Sequence, residues 1–240
     1  MANVMKSAAR RTVAAKPTLP PLKNGDRLDQ KTFHERYEAM PDHVRAELIG
    51  GIVYMASPQK LPHGRSTRLV GRWLTEYEEA TPGTESLPGV TDIMGPKSEP
   101  EPDECLLILP ACGGQTTEDD RGYLCGAPEL IVESSLTTES RDLRQKKSDY
   151  EKAGVLEYVV VALRTQKVFW FALRGGKYQE MKLDADGIYR SKVFPGLWLD
   201  PGALLQRDRK KLLTVLRKGL RSPEHRAFVA KLAARRGAGK

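Results

Sequence analysis

Long apolar segments are missing from this 240-residue sequence, in which 29% of the residues are charged. No run approaches the roughly 20 apolar residues that a membrane-spanning helix needs, so we expect no membrane partner. The basic N-terminus also lacks the apolar stretch of a secretory signal peptide. These absences argue against membrane and secreted proteins.

Cysteine is scarce as well, with only Cys105, Cys112 and Cys125 in the chain. Their number is odd and no pair has C-x-x-C spacing, which argues against a disulfide framework and against a structural zinc site. We therefore expect a protein of the reducing cytoplasm.

The net charge of +8 is unevenly distributed along the chain. Residues 1–31 carry seven Lys/Arg against two Asp/Glu, and residues 205–240 carry twelve against two, whereas residues 32–204 have a net charge of −7. An acidic body that approaches a phosphodiester backbone needs positive charge from elsewhere. A divalent metal ion or the basic ends could supply it.

Composition and hydrophobic patterning divide the chain into three parts. Residues 1–25 mix basic residues, alanine and proline without periodicity, which predicts a disordered basic lead-in. Residues 26–204 alternate helical and strand patterns and form the predicted domain. Residues 205–240 predict a basic helical C-terminal extension that binds nucleic acid, including RNA, without sequence preference and can be removed without unfolding the domain.

The patterns within the domain predict an α/β fold with a mixed sheet. The segment 129–162 reads as strand, helix, strand, which indicates a crossover between parallel strands. The predicted helices are 33–40, 64–80, 141–153, 202–219 and 223–236, and the predicted strands are 46–49, 52–55, 105–109, 130–133, 155–162 and 167–173.

Two carboxylates lie at the ends of predicted apolar strands. Asp103 precedes one strand and Glu133 ends the next. A buried carboxylate needs a partner charge, hydrogen bonds or a metal, and two facing carboxylates repel unless a cation lies between them. Oxygen ligands of this kind suit Mg²⁺. The alternative is that Asp103 is a turn residue and Glu133 an edge-strand charge.

A lysine interrupts the apolar face of the helix predicted over 141–153. The stripe that should face the sheet is Leu143, Lys146, Tyr150 and Ala153. An anionic partner would explain Lys146 there, with Glu133 and Asp142 as candidates, whereas a lysine that snorkels to solvent is the alternative. From the stripe alone, we expect Lys146→Leu to raise stability by completing the apolar face.

A series of short motifs follows in one order along the chain. They are Ala46 to Gly51, Tyr54-Met55, Ser57-Pro58, His63, Pro102-Asp103, Gly126 to Glu133, Asp142-Leu143, Lys146, Tyr150, Gly154-Val155, Glu157-Tyr158 and Phe194 to Asp200. Each motif is weak alone, but together they resemble the Uma2 family of putative restriction endonucleases over about residues 26–205. The resemblance implies a restriction endonuclease-like, PD-(D/E)xK-type sheet flanked by helices.

The resemblance also implies roles for individual residues. Asp103 and Glu133 match the two acids of the motif and Glu47 the acid of the N-terminal element, so all three would bind Mg²⁺ or Mn²⁺. The superfamily lysine normally follows the second acid by two residues, where this chain has Ser135. Lys146 matches the position to which the lysine has moved in the Uma2 pattern, and it would join the three acids in catalysis.

Three functional interpretations remain open from the sequence. The first is a Mg²⁺-dependent endodeoxyribonuclease, for which a homodimer is favoured because restriction-type nucleases that cut both strands commonly pair two active sites. The second is a nuclease-fold binding or regulatory protein with little turnover. The third is an unrelated protein that contacts RNA through its basic end. His63 is open between a phosphate contact and a structural or surface histidine.

Overall fold

A mixed β-sheet flanked by helices forms the centre of the computed structural model, which describes residues 19–238. The helices are α1 (Gln30–Glu38), α2 (Leu61–Glu79), α3 (Glu139–Arg141), α4 (Lys147–Ala153), α5 (Pro201–Leu205), α6 (Arg209–Leu220) and α7 (Pro223–Ala238), with a 3₁₀ turn at Pro110–Cys112 and a π turn at Asp142–Lys146. The strands are β1 (Ala46–Ile49), β2 (Ile52–Met55), β3 (Thr84–Pro88), β4 (Asp92–Ile93), β5 (Glu104–Ile108), β6 (Thr117–Glu118), β7 (Leu124–Cys125), β8 (Leu130–Ser135), β9 (Glu157–Ala162), β10 (Lys167–Arg174), β11 (Lys177–Glu180), β12 (Tyr189–Arg190) and β13 (Trp198–Leu199).

Six strands make up the central sheet, in the order β11-β10-β9-β8-β5-β3. β8 and β9 pair in parallel and the other neighbours are antiparallel. The parallel pair is joined through α3, the π turn and α4, which confirms the crossover expected over 129–162. The mixed α/β fold class is therefore confirmed.

The two faces of the sheet bury different side chains because neighbouring residues of a strand point in opposite directions. One face, with Leu106, Leu130 and Val132, packs against α2 and the C-terminal helices. The other, with Ile131 and Val160, packs against α4. Glu133 has the parity of Ile131, so its carboxylate faces the helix that carries Lys146.

The C-terminal helices belong to the main core. Leu212, Leu216, Phe228 and Leu232 are buried in the same cluster as Trp73 of α2, while the basic residues of α6 and α7 face outward. This packing argues against the expectation that residues 205–240 could be removed without unfolding the domain, because removal would expose one face of the sheet.

Most predicted boundaries shift by one to three residues, and two predicted segments differ more. The helix expected over 202–219 breaks into α5 and α6, because Arg207 has a φ of 59° and Asp208 caps α6 by accepting a hydrogen bond from the N–H of Lys211. Of the predicted lead-in, residues 1–18 lie outside the described residues, and Leu22 is buried against Phe33 of α1. Within the described part, no helix combines the length and apolar character that crossing a membrane requires.

Candidate active site

The structure brings the four predicted site residues to a single cleft of about 450 Å³. Glu47 comes from β1, Asp103 from the residue before β5, Glu133 from β8 and Lys146 from the end of the π turn. They lie up to 99 positions apart in the chain and meet at one edge of the fold. Their grouping agrees with the predicted set, whose chemical roles remain a prediction.

Strand pairing sets the positions of the two acids. Glu104 pairs with Val132 in the antiparallel ladder of β5 and β8, which places Asp103 opposite Glu133 one position further on. Asp103 Oδ2 accepts a hydrogen bond from the backbone N–H of Ser134 at 2.7 Å. The carboxylate of Asp103 is thereby oriented at the mouth of the sheet, next to Glu133.

Lys146 lies between two carboxylates. Its Nζ donates hydrogen bonds to Glu47 Oε1 and Glu133 Oε1, both at 2.7 Å, and only 3% of its side chain is exposed. Lys146 ends the π turn, a rare i→i+5 geometry often found at functional sites. The partners of Lys146 are thus Glu47 and Glu133. Asp142, the other candidate, instead accepts a hydrogen bond from the hydroxyl of Thr138.

Burial and charge shift the pKa values of this pair. Desolvation raises the pKa of Glu133, against the lowering effect of Lys146, and the neighbouring Asp103 carboxylate raises it further. Burial lowers the pKa of Lys146, but the attraction of Glu133 and Glu47 outweighs it and raises that pKa. Tyr150 adds a hydrogen bond from its hydroxyl to Glu133 Oε1 at 2.8 Å. The protonation states of Glu133 and Lys146 therefore depend on each other and on the nearby carboxylates.

His63 contacts the same centre, which favours a site residue over a free surface histidine. Its Nδ1 lies 2.7 Å from the carbonyl oxygen of Ser134, so Nδ1 carries the proton there. Its Nε2 lies 3.2 Å from Asp103 Oδ1, and this carboxylate raises the pKa of His63. The sequence offered only a lone histidine here, and its contact with Asp103 could not be foreseen.

The donor set fits a divalent cation held by two carboxylates. Residues 19–238 contain no group of three or more His, Cys, Asp or Glu side chains arranged to hold a metal ion. Glu133 Oε2 has no hydrogen-bond partner among these residues, and Asp103 Oδ1 forms an ion pair with His63. Mg²⁺ commonly uses one or two carboxylates and keeps several waters.

Glu47 differs from the other two acids. Its Oε1 accepts hydrogen bonds from Lys146 and from the backbone N–H of Glu101, and its Oε2 faces Arg141 at 3.9 Å. The ammonium of Lys146 bridges Glu47 and Glu133 in this arrangement. The role of Glu47 as a third metal ligand stays a prediction.

Comparisons with known proteins identify a family and a fold. The sequence matches the model of the Uma2 family, described as a putative restriction endonuclease, over residues 32–202. Among solved structures it is similar to a putative nuclease belonging to DUF820 from Anabaena variabilis ATCC 29413, with a TM-score of 0.54 and 13% sequence identity. That similarity covers 71% of this chain and 97% of the other and, at this identity, shows the fold alone. A comparison with curated proteins finds no match.

Proposed function

Because the chain belongs to the Uma2 family, whose description is that of a putative restriction endonuclease, we propose that it is a metal-dependent nuclease that hydrolyses phosphodiester bonds in DNA. The observation that carries the proposal is the buried ammonium of Lys146, hydrogen-bonded to Glu47 and Glu133 beside Asp103. Replacing a buried ion pair by apolar residues is often neutral or stabilising, so such a pair is weak support for a role in stability alone. Its position in an open cleft supports a chemical role.

Asp103 and Glu133 would hold the divalent ion. When bound, Mg²⁺ or Mn²⁺ would polarise the scissile phosphate and lower the pKa of a water molecule. The chain's own residues prepare this position: Ser134 and His63 orient Asp103, while Tyr150 and Lys146 orient Glu133.

Lys146 would stabilise the developing negative charge on the phosphate. An ammonium fixed in a poorly hydrated site interacts more strongly with charge than one in water and needs no reorganisation during the reaction. Its two carboxylate partners keep it protonated, so it would act as a fixed cation that also orients the attacking water. Glu47 would position Lys146 from the other side.

Nicking of supercoiled plasmid DNA tests the proposal. The wild type should cut with Mg²⁺ or Mn²⁺ and not with EDTA, and both Asp103→Asn and Lys146→Ala should reduce the rate about 100-fold or more. Lys147→Ala is the matched control, because the Lys147 ammonium lies over the Phe171 ring, 3.9 Å from its centroid. Wild-type rates in Asp103→Asn or Lys146→Ala would refute the proposed roles.

Metal binding can be measured without cleavage. A ligand that binds only the folded state raises the melting temperature with concentration. Mg²⁺ should stabilise the wild type and leave a double Asp103→Asn, Glu133→Gln variant unchanged. Equal shifts in both proteins would place the ion elsewhere. Metal and DNA binding without nicking would instead favour the regulatory interpretation.

That the substrate is DNA and not RNA is part of the proposal. The outward basic residues of α6 and α7 support contact with a phosphate backbone. Parallel assays with duplex DNA and duplex RNA of one sequence would identify the substrate. A homodimer and a cytoplasmic location remain predictions, and sedimentation at several concentrations would test the former.

A further inference from the structure

Arg141 is a cleft residue to which the resemblance assigns no role. It ends α3, directly before the π turn, and lines the cleft with Glu47, Asp103 and Glu133. Its guanidinium carbon lies 5.1 Å from the centroid of the Tyr54 ring. About 26% of its side chain is exposed. The guanidinium is therefore held in a partly dry position that still opens to solvent.

The N–H donors of the Arg141 guanidinium lack hydrogen-bond acceptors among the described residues. Its Nη2 lies 3.9 Å from Glu47 Oε2 and its Nε 3.8 Å from Asp142 Oδ1, and both distances are too long for hydrogen bonds. Among the described residues, none accepts a hydrogen bond from its side chain, and its Nε is buried without a partner. A guanidinium has five donors, and a partly buried one normally satisfies several of them.

The surroundings fix the direction of this guanidinium. Tyr54 lies opposite Glu47 in the β1–β2 hairpin, so the aromatic ring and the carboxylate share a face and Arg141 lies beside both. Stacking on an aromatic ring and attraction to a carboxylate restrain the side chain without using its hydrogen bonds. Such a group is preorganised to receive an anion with two acceptor oxygens.

We propose that Arg141 binds a phosphate group of the nucleic-acid backbone adjacent to the one that is cut, through a fork of two N–H donors on two phosphate oxygens. The proposal rests on the proposed function, since it takes the cleft as the place where DNA lies. Arg141 and Lys146 contact opposite oxygens of Glu47, so this carboxylate links the phosphate-binding guanidinium to the ammonium at the centre. Arg141 is thus a substrate-binding residue.

Binding of a fluorescent DNA duplex in EDTA, measured by anisotropy over a range of salt concentrations, tests the inference independently of cleavage. Each phosphate contact contributes about 0.9 to the slope of log K against log salt. Arg141→Met should reduce the magnitude of the slope by about 0.9 and weaken binding about tenfold. Arg141→Lys should keep the slope and recover part of the affinity, since it keeps the charge but loses the fork.

Arg72→Met is the control for the loss of one positive charge. Arg72 is a 62% exposed arginine of α2 whose partner is Glu76, outside the cleft. Its loss should leave the slope unchanged. Unchanged slope and affinity in Arg141→Met, or equal losses in both variants, would overturn the inference while leaving the nuclease proposal intact. Absence of DNA binding by the wild type in EDTA would overturn the inference, whereas the nuclease proposal is decided by the plasmid assay with metal.

A purely structural role for Arg141 predicts a different result. Arg141→Met would then lower the melting temperature, and the slope of the folded protein would stay at its wild-type value. If Arg141→Met does not fold, Arg141→Lys decides alone: wild-type affinity would contradict the fork, and reduced affinity at an unchanged slope would support it.

Discussion

Replacing Lys146 by methionine should destabilise the protein in a strongly pH-dependent way. Methionine fills a similar space but leaves the buried carboxylate of Glu133 with only the hydroxyl of Tyr150 and with Asp103 nearby. Removing one partner of a buried ion pair leaves an uncompensated charge, which usually costs about 3–5 kcal/mol. Glu133 can escape this cost by binding a proton, since burial already raises its pKa.

The cost of protonating Glu133 sets the stability loss of the Lys146→Met variant. The ordinary pKa of a glutamate is 4.5, and one pH unit corresponds to about 1.36 kcal/mol. Keeping Glu133 protonated in the folded state therefore costs about 3.4 kcal/mol at pH 7 and about 0.7 kcal/mol at pH 5. Because the folded pKa lies above the unfolded one, the variant loses stability as pH rises above about 4.5. The wild type loses stability in the same direction up to about pH 8, the raised pKa of its own Glu133, because Lys146 lowers this pKa without returning it to the ordinary value.

Urea denaturation of both proteins at pH 7 and pH 9 would measure this difference. We expect Lys146→Met to be less stable than the wild type at both pH values, and the deficit to be larger at pH 9, where Glu133 of the wild type has released its proton and Glu133 of the variant has not. Lys147→Met is the matched control. It removes a contact with the Phe171 ring and should cost about 0.5–1 kcal/mol at either pH.

A second variant separates charge from packing. Lys146→Met combined with Glu133→Gln leaves no buried charge at this pair, so the free energy of unfolding should return to within about 1 kcal/mol of the wild type. Equal destabilisation of Lys146→Met at both pH values, or no recovery in the double variant, would refute the reasoning.

Three further perturbations follow from the structure. Asp92 is buried with no hydrogen-bond partner for either oxygen among the described residues, and desolvation raises its pKa to about 8. Asp92→Asn should therefore gain relative stability by about 1.4 kcal/mol per pH unit between pH 5 and pH 7, and a flat difference in urea melts would contradict this. Gly219→Ala should cost about 1–3 kcal/mol because the new methyl group would lie 2.2 Å from the carbonyl oxygen of Gly196. In the control Gly64→Ala, the methyl group meets no atom within 4 Å, so this variant should be as stable as the wild type or more stable. A lower melting temperature for Gly64→Ala than for Gly219→Ala would contradict this packing. Truncation after residue 204 should abolish cooperative unfolding, and a sharp calorimetric transition in the truncated protein would show that α6 and α7 are dispensable.

The central strands and the two acids could be predicted because they depend on local patterns. The apolar run that ends in Glu133 and the Pro102-Asp103 step before the next run are visible in the sequence. The helical stripe also identified Lys146 as buried. The stability expectation for Lys146→Leu stays a prediction, but the structure argues against it: a stripe shows which way a residue faces and not that two carboxylates meet it there.

The rest of the site depends on contacts between distant segments. His63 reaches Asp103 only because α2 packs on the end of the sheet, and Arg141 reaches Tyr54 only because the hairpin folds over the crossover. The basic composition of α6 and α7 hid their role in the core, since the few apolar residues on one side of each helix are enough to bury it.

The π turn makes single-residue insertions and deletions consequential at one point of the chain. Its hydrogen-bonded ring is one residue longer than that of an α-helix, so deleting the exposed Gln145 would allow one regular helix from Glu139 to Ala153. Lys146 would keep its place beside Tyr150, while Arg141 would rotate by about 100° around the helix axis. Loss or gain of one codon would thus exchange the side chain that faces the cleft, without altering the buried ammonium. The number of residues between Glu133 and Lys146 is therefore the quantity to compare when members of the family differ in substrate.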